Sequence, residues 1–358
     1  MILITLNMNI LDLKLRICSG FTLSAMALLG VVTNSPVMAD SYSPVFSATA
    51  AKVNPHTSQN TKATFTYAAL SQVPEEVYRG VISEYDTSGI IDAGGFIPDG
   101  ALNPSESAGG FQLEMTSGNG TGFRTRILAS QGNSIRLDRD LTPWIQKGDQ
   151  FVIRKNFTIA SIFGDANELS NLKSGSNFND ADSIIFIDTL GGTTQHYNLS
   201  VSGKTSFWFD SNLNRSGDNI IDSFRGFIVR RIGSEPATIY TTGEIRTTPT
   251  ILPVEPGLNL LSLANTSAPV ALKDLNLISD SDGTGLKAGV NPSKADNVII
   301  YNADGSSATY FYLSYQGVQG WFSFDFTPAD DVTIAPGQAF YISRQPGLPA
   351  FGWFAPAP

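Results

Sequence analysis

The sequence predicts an all-β protein, built from tandem sandwich- or barrel-like modules with an internal duplication and few or no long helices. Three observations carry the prediction. Short runs rich in β-branched and aromatic residues follow one another from Phe65 onward. Turn chemistry separates them, as at Gly118-Asn119-Gly120 and Gln131-Gly132-Asn133. Charge is sparse, at 15% of 358 residues, while Gly, Ser, Thr and Asn are plentiful, a balance that suits strands and turns better than amphipathic helices.

Residues 1–39 read as a secretory signal. Lys14 and Arg16 form its positive region, an apolar core runs from about Phe21 to Val32, and Val37-Met38-Ala39 places cleavage before Asp40. The core is shorter than the ~18 residues of a spanning helix and no second such run follows, so no transmembrane segment is expected in the mature chain. The expected location is the periplasm, the cell surface or the medium. The single cysteine, Cys18, lies inside the signal. The mature protein is therefore expected to have no disulfide, thiolate metal site or cysteine nucleophile. A net charge of −9 argues against nucleic acid as a partner.

Residues 40–64 are polar and unpatterned and read as a flexible arm. Residues 65–156 read as an N-terminal β module, with strands at Val77–Tyr85, Gly110–Thr116, Gly122–Leu128, Ser134–Asp138 and Gln150–Lys155. Phe111, Leu113 and Met115 alternate with Gln112, Glu114 and Thr116, which predicts one buried and one wet face. Helix is expected for a turn or two at most, at Asn167–Lys173 and Ala271–Leu277.

Two repeats follow, over 157–244 and 245–358. Asn171–Gly203 aligns on Gly285–Gly317 without gaps at an offset of 114, with eleven identities in 33 positions. Leu172-Lys173-x-Gly175-x-Asn177 recurs as Leu286-Lys287-x-Gly289-x-Asn291, and Ala181-Asp182 as Ala295-Asp296. The strands Phe227–Arg231 and Phe340–Arg344 close the two copies, and Phe157–Phe163 is expected to open the first as Leu258–Leu263 opens the second.

Further marks fall in order: Ser117-Gly118 with Gly122, Trp144 followed by Gly148–Arg154, Thr158–Gly164, the Ala-Asp-x-Ile/Val-Ile strands, and the closing strands that end in Arg. As an ordered series over about 65–345 this resembles a family of exported, all-β bacterial proteins with no assigned activity. The resemblance implies export and a β fold, and brings no catalytic residues.

The residue types limit the chemistry. His56 lies in the arm, and His196 lies in a strand whose repeat carries Tyr310, so triads and His-rich metal sites are not expected. Asp182 and Asp296 recur, as do Arg231 and Arg344, which predicts the structural pairs Asp182–Arg231 and Asp296–Arg344. Asp210, Asn212, Asn214 and Asp218 occupy positions 1, 3, 5 and 9 of a calcium-loop pattern, although Arg215 stands where that pattern has Gly and Ile221 where it has Glu. No other cofactor is suggested. Trp321, Ser323 and Asp325 share one strand face, with Trp208 beside the corresponding position of the first copy, and would form a ligand platform if Phe322, Phe324 and Phe326 face the core; if the strand is buried on both faces, Trp321 fills the core instead.

The function this favours is a non-enzymatic exported protein, structural or adhesive at the cell surface or in the matrix, with glycans or other surface proteins as partners. The alternatives are a carbohydrate-binding module and a polysaccharide hydrolase with paired carboxylates.

Overall fold

Apolar residues that alternate along a strand bury one face; where every position is apolar, both faces need a partner. Ile184-Ile185-Phe186-Ile187 and Val298-Ile299-Ile300-Tyr301 are of the second kind, and they sit at the centres of two five-stranded antiparallel sheets packed back to back. The computed structural model describes residues 46–56, 63–70, 72–201, 205–245, 249–263, 268–279, 284–302 and 305–356, which belong to one compact body. The expected signal segment 1–39, the first residues of the arm and the loop 280–283 lie outside the described residues.

The chain begins with β1 (Phe46–Val53) and β2 (Thr64–Ala68). A curled sheet then holds β3 (Glu76–Val81), β4 (Glu84–Asp86), β5 (Gly89–Ile91), β6 (Phe111–Met115), β7 (Arg124–Gln131), β8 (Ser134–Leu137) and β9 (Gln150–Lys155). Next come β10 (Phe157–Thr158), helix α1 (Ile159–Phe163), β11 (Ser183–Ile187), β12 (Thr193–Val201), β13 (Thr205–Asp210), β14 (Ile220–Ile221), β15 (Phe227–Arg231) and β16 (Ala237–Glu244). The remaining strands are β17 (Thr250–Val254), β18 (Gly257–Ser262), β19 (Val270–Ala271), β20 (Asn297–Tyr301), β21 (Ser307–Tyr315), β22 (Val318–Ser323), β23 (Thr333–Ile334), β24 (Ala339–Arg344) and β25 (Phe351–Ala355), with a 3-10 turn at Leu272–Asp274.

The first sheet has the order β13-β12-β11-β15-β2 and the second the order β22-β21-β20-β24-β18. Each sheet is accompanied by a long two-stranded ribbon, β1-β16 or β17-β25, and a short one, β10-β14 or β19-β23. Helix α1 and the 3-10 turn follow β10 and β19 respectively, so the elements of the two units match one for one in chain order. The seven strands β3–β9 fall between β2 and β10 and have no counterpart.

This corrects four expectations. The arm is not unstructured throughout: Phe46–Val53 pairs with β16 over eight positions, from Phe46↔Glu244 to Val53↔Ala237. Its polar composition hid a strand held by backbone bonds to a partner some 190 residues away in the chain. The N-terminal module does not begin at 65, because Thr64–Ala68 is a strand of the first sheet, paired with β15. And β18 corresponds to β2, not to Phe157–Phe163. That stretch leaves the extended state after two residues because Thr158 and Ser161 form a capping box, Thr158 Oγ1 accepting from Ser161 N at 3.1 Å and Ser161 Oγ from Thr158 N at 2.8 Å. Gly164, at φ 87°, ends the helix. Asn167–Lys173 is not helical; Asn167 and Asn171 adopt φ 66° and 55°, in the left-handed region.

Alternate side chains of each sheet go to different cores. Ile184, Phe227 and Val229 join Val53, Ile159, Ile162, Phe163, Trp208 and Ile239 inside the first unit. Val298, Phe340 and Ile342 join Leu252, Trp321 and Trp353 inside the second. The intervening residues meet between the sheets: Tyr67, Ile185 and Ile228 against Leu260, Ile299, Tyr301 and Tyr341. Tyr67 stacks on Tyr301 with ring centres 3.8 Å apart, and burial together with its tyrosine neighbour raises the Tyr341 phenol to about 12. Backbone bonds tie the units as well, including Ala69 N–H to Gly337 O at 2.9 Å and Gly226 N–H to Leu260 O at 3.1 Å.

The curled sheet has the order β3-β9-β6-β7-β8-β5-β4. Its outermost strands, β3 and β4, are joined by only Ile82 and Ser83, so the sheet curls round into a barrel whose two edges meet at that chain corner and not through a ladder between them. Ile90, Leu113, Met115, Ile127, Ile135 and Phe151 fill its interior. The barrel is anchored to the first unit through buried charges. Arg154 on β9 bonds Glu244 at the end of β16, with Glu114 of β6 at 3.4 Å. Burial works against the Arg154 charge, but the two glutamates outweigh it and hold its pKa above the ordinary value.

Candidate functional site

The structure brings Asp182 and Arg231 together at 2.6 Å, and Asp296 and Arg344 at 2.9 Å. All four are buried. In both units the aspartate sits just before the central strand, and its carboxylate gathers N–H groups from two chain segments. Asp182 accepts from Lys173 N at 2.6 Å, Ile232 N at 2.6 Å and Gly233 N at 3.1 Å. Asp296 accepts from Lys287 N at 2.8 Å and Gln345 N at 2.7 Å. The third donor is missing there because Pro346 stands where the first unit has Gly233. The arginines donate onward to backbone carbonyls, Arg231 to Asn171 and Glu235, Arg344 to Gly285 and Pro349. The recurrent glycines serve the same corner. Gly175 and Gly289 each make a parallel bridge to the long strand of their sheet, and a Cβ there would come within 2.5 Å and 2.8 Å of the Ala181 and Ala295 nitrogens.

The aromatic platform is overturned. Trp321 is 2% exposed and Trp208 0%, both within unit cores. Trp208 donates its indole N–H to Gly164 O at 2.9 Å, and Trp321 lies edge-on to Tyr312. The strand carrying Trp321 ends at Ser323, where Asp325 and Thr327 bond back to the Ser323 hydroxyl, so its alternation stops and Phe324 and Phe326 are left exposed. Ser323 and Asp325 thus close a turn, and the Ser323 hydroxyl is the main reason the Asp325 carboxyl titrates below its usual range.

Asp210, Asn212 and Asn214 form a turn of the same kind. Asp210 accepts from Asn212 N and Asn214 N, each at 2.8 Å, and from the Asn214 side chain at 3.0 Å. The Asn214 bonds hold its carboxyl below the usual range. Arg215, where the calcium pattern has Gly, stacks on Phe207 with its guanidinium carbon 3.3 Å from the ring centre. Asp218 takes no part in these bonds and lies on a shallow concavity with Asn219 and His196. His196 itself is buried, and burial lowers its pKa against the opposing charge of Asp210.

The concavity with the most chemistry was not singled out by the sequence reading. It has a volume of about 590 Å³ and lies where the barrel meets both units. The barrel supplies Gln112, Phe123, Arg124, Arg126, Asp138, Arg139 and Trp144; the first unit supplies Asp222 and Arg225; the second supplies Ile251–Pro253 and Ala350–Gly352. Gly122, at φ 93°, lets the barrel chain pass against Pro249–Ile251; a Cβ would lie 2.8 Å from Pro249 O. Arg124 pairs with Asp222 at 3.2 Å and covers the Phe224 ring at 3.8 Å. Burial pushes the Asp222 carboxyl up, but Arg124 and the Phe224 N–H prevail and its pKa falls below the ordinary value. Trp144 is 42% exposed and rests on Phe123 with ring centres 4.7 Å apart. The signal that could have found the site is Arg124-x-Arg126 with Arg139, three guanidiniums within sixteen residues of a chain that has only 23 basic residues in 358.

No family model and no curated protein matches the chain. Among solved structures, the crystal structure of the nematode sperm cell motility protein MFP2B aligns over 83% of this chain and 74% of its own, with 9% identity and a TM-score of 0.16, too low to carry an argument about fold or function.

Proposed function

We propose that the chain is an exported, non-enzymatic β protein, structural or adhesive at the cell surface or in the extracellular matrix. Its body is two copies of one sheet-forming unit, with a barrel inserted into the first. The observation that carries this reading is where the shared charges go. Asp182 with Arg231 and Asp296 with Arg344 are buried and spend their hydrogen bonds on one another and on backbone. A catalytic carboxylate needs reach to a substrate and a proton to move, and these have neither. The matched strand orders support duplication. Carbohydrate binding is the second reading, and it is favoured by Trp144 at the open junction, not by Trp208 or Trp321.

Expressing the full chain in a secreting bacterial host tests the reading. The exported product should begin at Asp40 by N-terminal sequencing and release no reducing ends from a polysaccharide panel. Retention inside the cell, or sugar release by the purified product, would overturn it.

A further inference from the structure

We propose that the junction between the barrel and the two units is a binding site for an acidic oligosaccharide, with a sugar carboxylate held by Arg139 and Arg225 and a sugar ring stacked on Trp144. The lining carries four arginines against two aspartates, a local excess of two positive charges on a chain of net charge −9. Arg124 is committed to Asp222, and Arg126 lies 4.0 Å from Asp138. Among the described residues neither Arg139 nor Arg225 has a carboxylate within ion-pair distance. Among the described residues the Arg225 guanidinium donates a single long bond, 3.5 Å, to Pro253 O. Burial, with repulsion from Arg124 and Arg139, lowers its pKa against the pull of Asp222 and Glu255. Like charges gathered in a partly desolvated cleft are costly unless an anion joins them.

The neighbours narrow the anion. Inorganic phosphate or a polyphosphate carries more negative charge than one carboxylate and brings no hydroxyl array to satisfy Asp138 and Asp222, so those aspartates oppose it more strongly. A neutral sugar would leave Arg139 and Arg225 unmatched. A ligand with both a carboxylate and hydroxyl donors uses both sets: guanidiniums take the carboxylate in a two-pronged bond, and the aspartates and Gln112 accept from hydroxyls. The exposed indole of Trp144, backed by Phe123, offers the flat apolar face that the C–H side of a pyranose ring covers. The volume of about 590 Å³ lies within the range of ~300–1,000 Å³ usual for small-ligand sites. The site deepens the adhesive reading by naming what would be held, and rests on that reading only in that the sugar is held unaltered.

Titration of the full exported chain with trigalacturonate, the corresponding neutral galactose trimer and inorganic phosphate tests this, read by calorimetry and Trp fluorescence. The trigalacturonate should bind at least about tenfold tighter than the neutral trimer or phosphate. Arg139→Gln and Trp144→Ala, both at exposed positions, should each weaken it about tenfold with an unchanged melting temperature. Equal binding of the acidic and neutral trimers, no acidic-trimer binding up to about 10 mM, or binding that both variants leave intact would overturn the proposal. Chromatography of the same mixtures separates the two readings: bound trimer that is cleaved refutes the non-enzymatic function while leaving the site, and intact unbound trimer refutes the site alone.

Discussion

Replacing Asp182 by alanine should cost the protein more than almost any other single change outside an aromatic core. The substitution leaves the Arg231 guanidinium buried without its counter-charge, a loss of about 3–5 kcal/mol in comparable sites. It also strips the acceptor from three N–H groups, on Lys173, Ile232 and Gly233, each worth ~1 kcal/mol or more if left unbonded. These losses overlap, so about 4 kcal/mol is a fair floor. With a urea dependence of ~3 kcal/mol per M, the unfolding midpoint should fall by more than about 1 M. Trp208, Trp321 and Trp353 are buried and report unfolding by fluorescence. Asp296→Ala should lose about 1 kcal/mol less, because Pro346 gives that carboxylate one fewer backbone donor. Removing both charges in the first unit, Asp182→Ala with Arg231→Met, should recover part of the loss, since no unpaired cation is then buried. A midpoint shift below about 0.3 M for Asp182→Ala, or a double variant as unstable as the sum of its singles, would refute the reasoning.

Other perturbations probe separate parts of the body. Burial depresses the His196 pKa in the fold, whereas in the unfolded chain the imidazole takes up a proton below about pH 6.5. Stability should therefore decline as pH falls from 7 to 5, and His196→Tyr, the residue type at position 310, should flatten that slope in urea titrations; an unaltered slope in the variant rejects the assignment. Gly175→Ala and Gly289→Ala each press a Cβ against a backbone nitrogen and should lower the melting temperature, at a cost of ~1–3 kcal/mol or more; wild-type melting in either would show that the corner can yield. Trp321→Ala should cost about 3–5 kcal/mol in unfolding experiments, and a variant with native stability would contradict its place in the core.

Much of this was legible in the residues themselves. Alternation at Phe111, Leu113 and Met115, and unbroken apolar runs at Ile184–Ile187 and Val298–Tyr301, depend on local pattern, and both became strands, although Glu114, expected on a wet face, is buried against Arg154. Less legible was any strand whose partner lies far along the chain. Phe46–Val53 lies in a polar stretch and three of its apolar residues are alanine, so no local pattern marks it, and its pairing partner β16 lies some 190 residues along the chain. The platform at Trp321 failed for a related reason: the sequence places side chains on a face but does not say which layer covers it.

The sequence by itself determined an all-β chain with two runs of matching strands and a shared Asp and Arg in each, because those features depend on neighbours within a few residues or on likeness between two stretches. Only the tertiary structure decided that β2 belongs with β10–β16 across an inserted barrel, that the two sheets bury their second faces on one another, and that arginines of the barrel converge with Arg225 at the junction. Those outcomes follow from which surfaces can be covered and which backbone edges paired, quantities that exist only once separate segments share space.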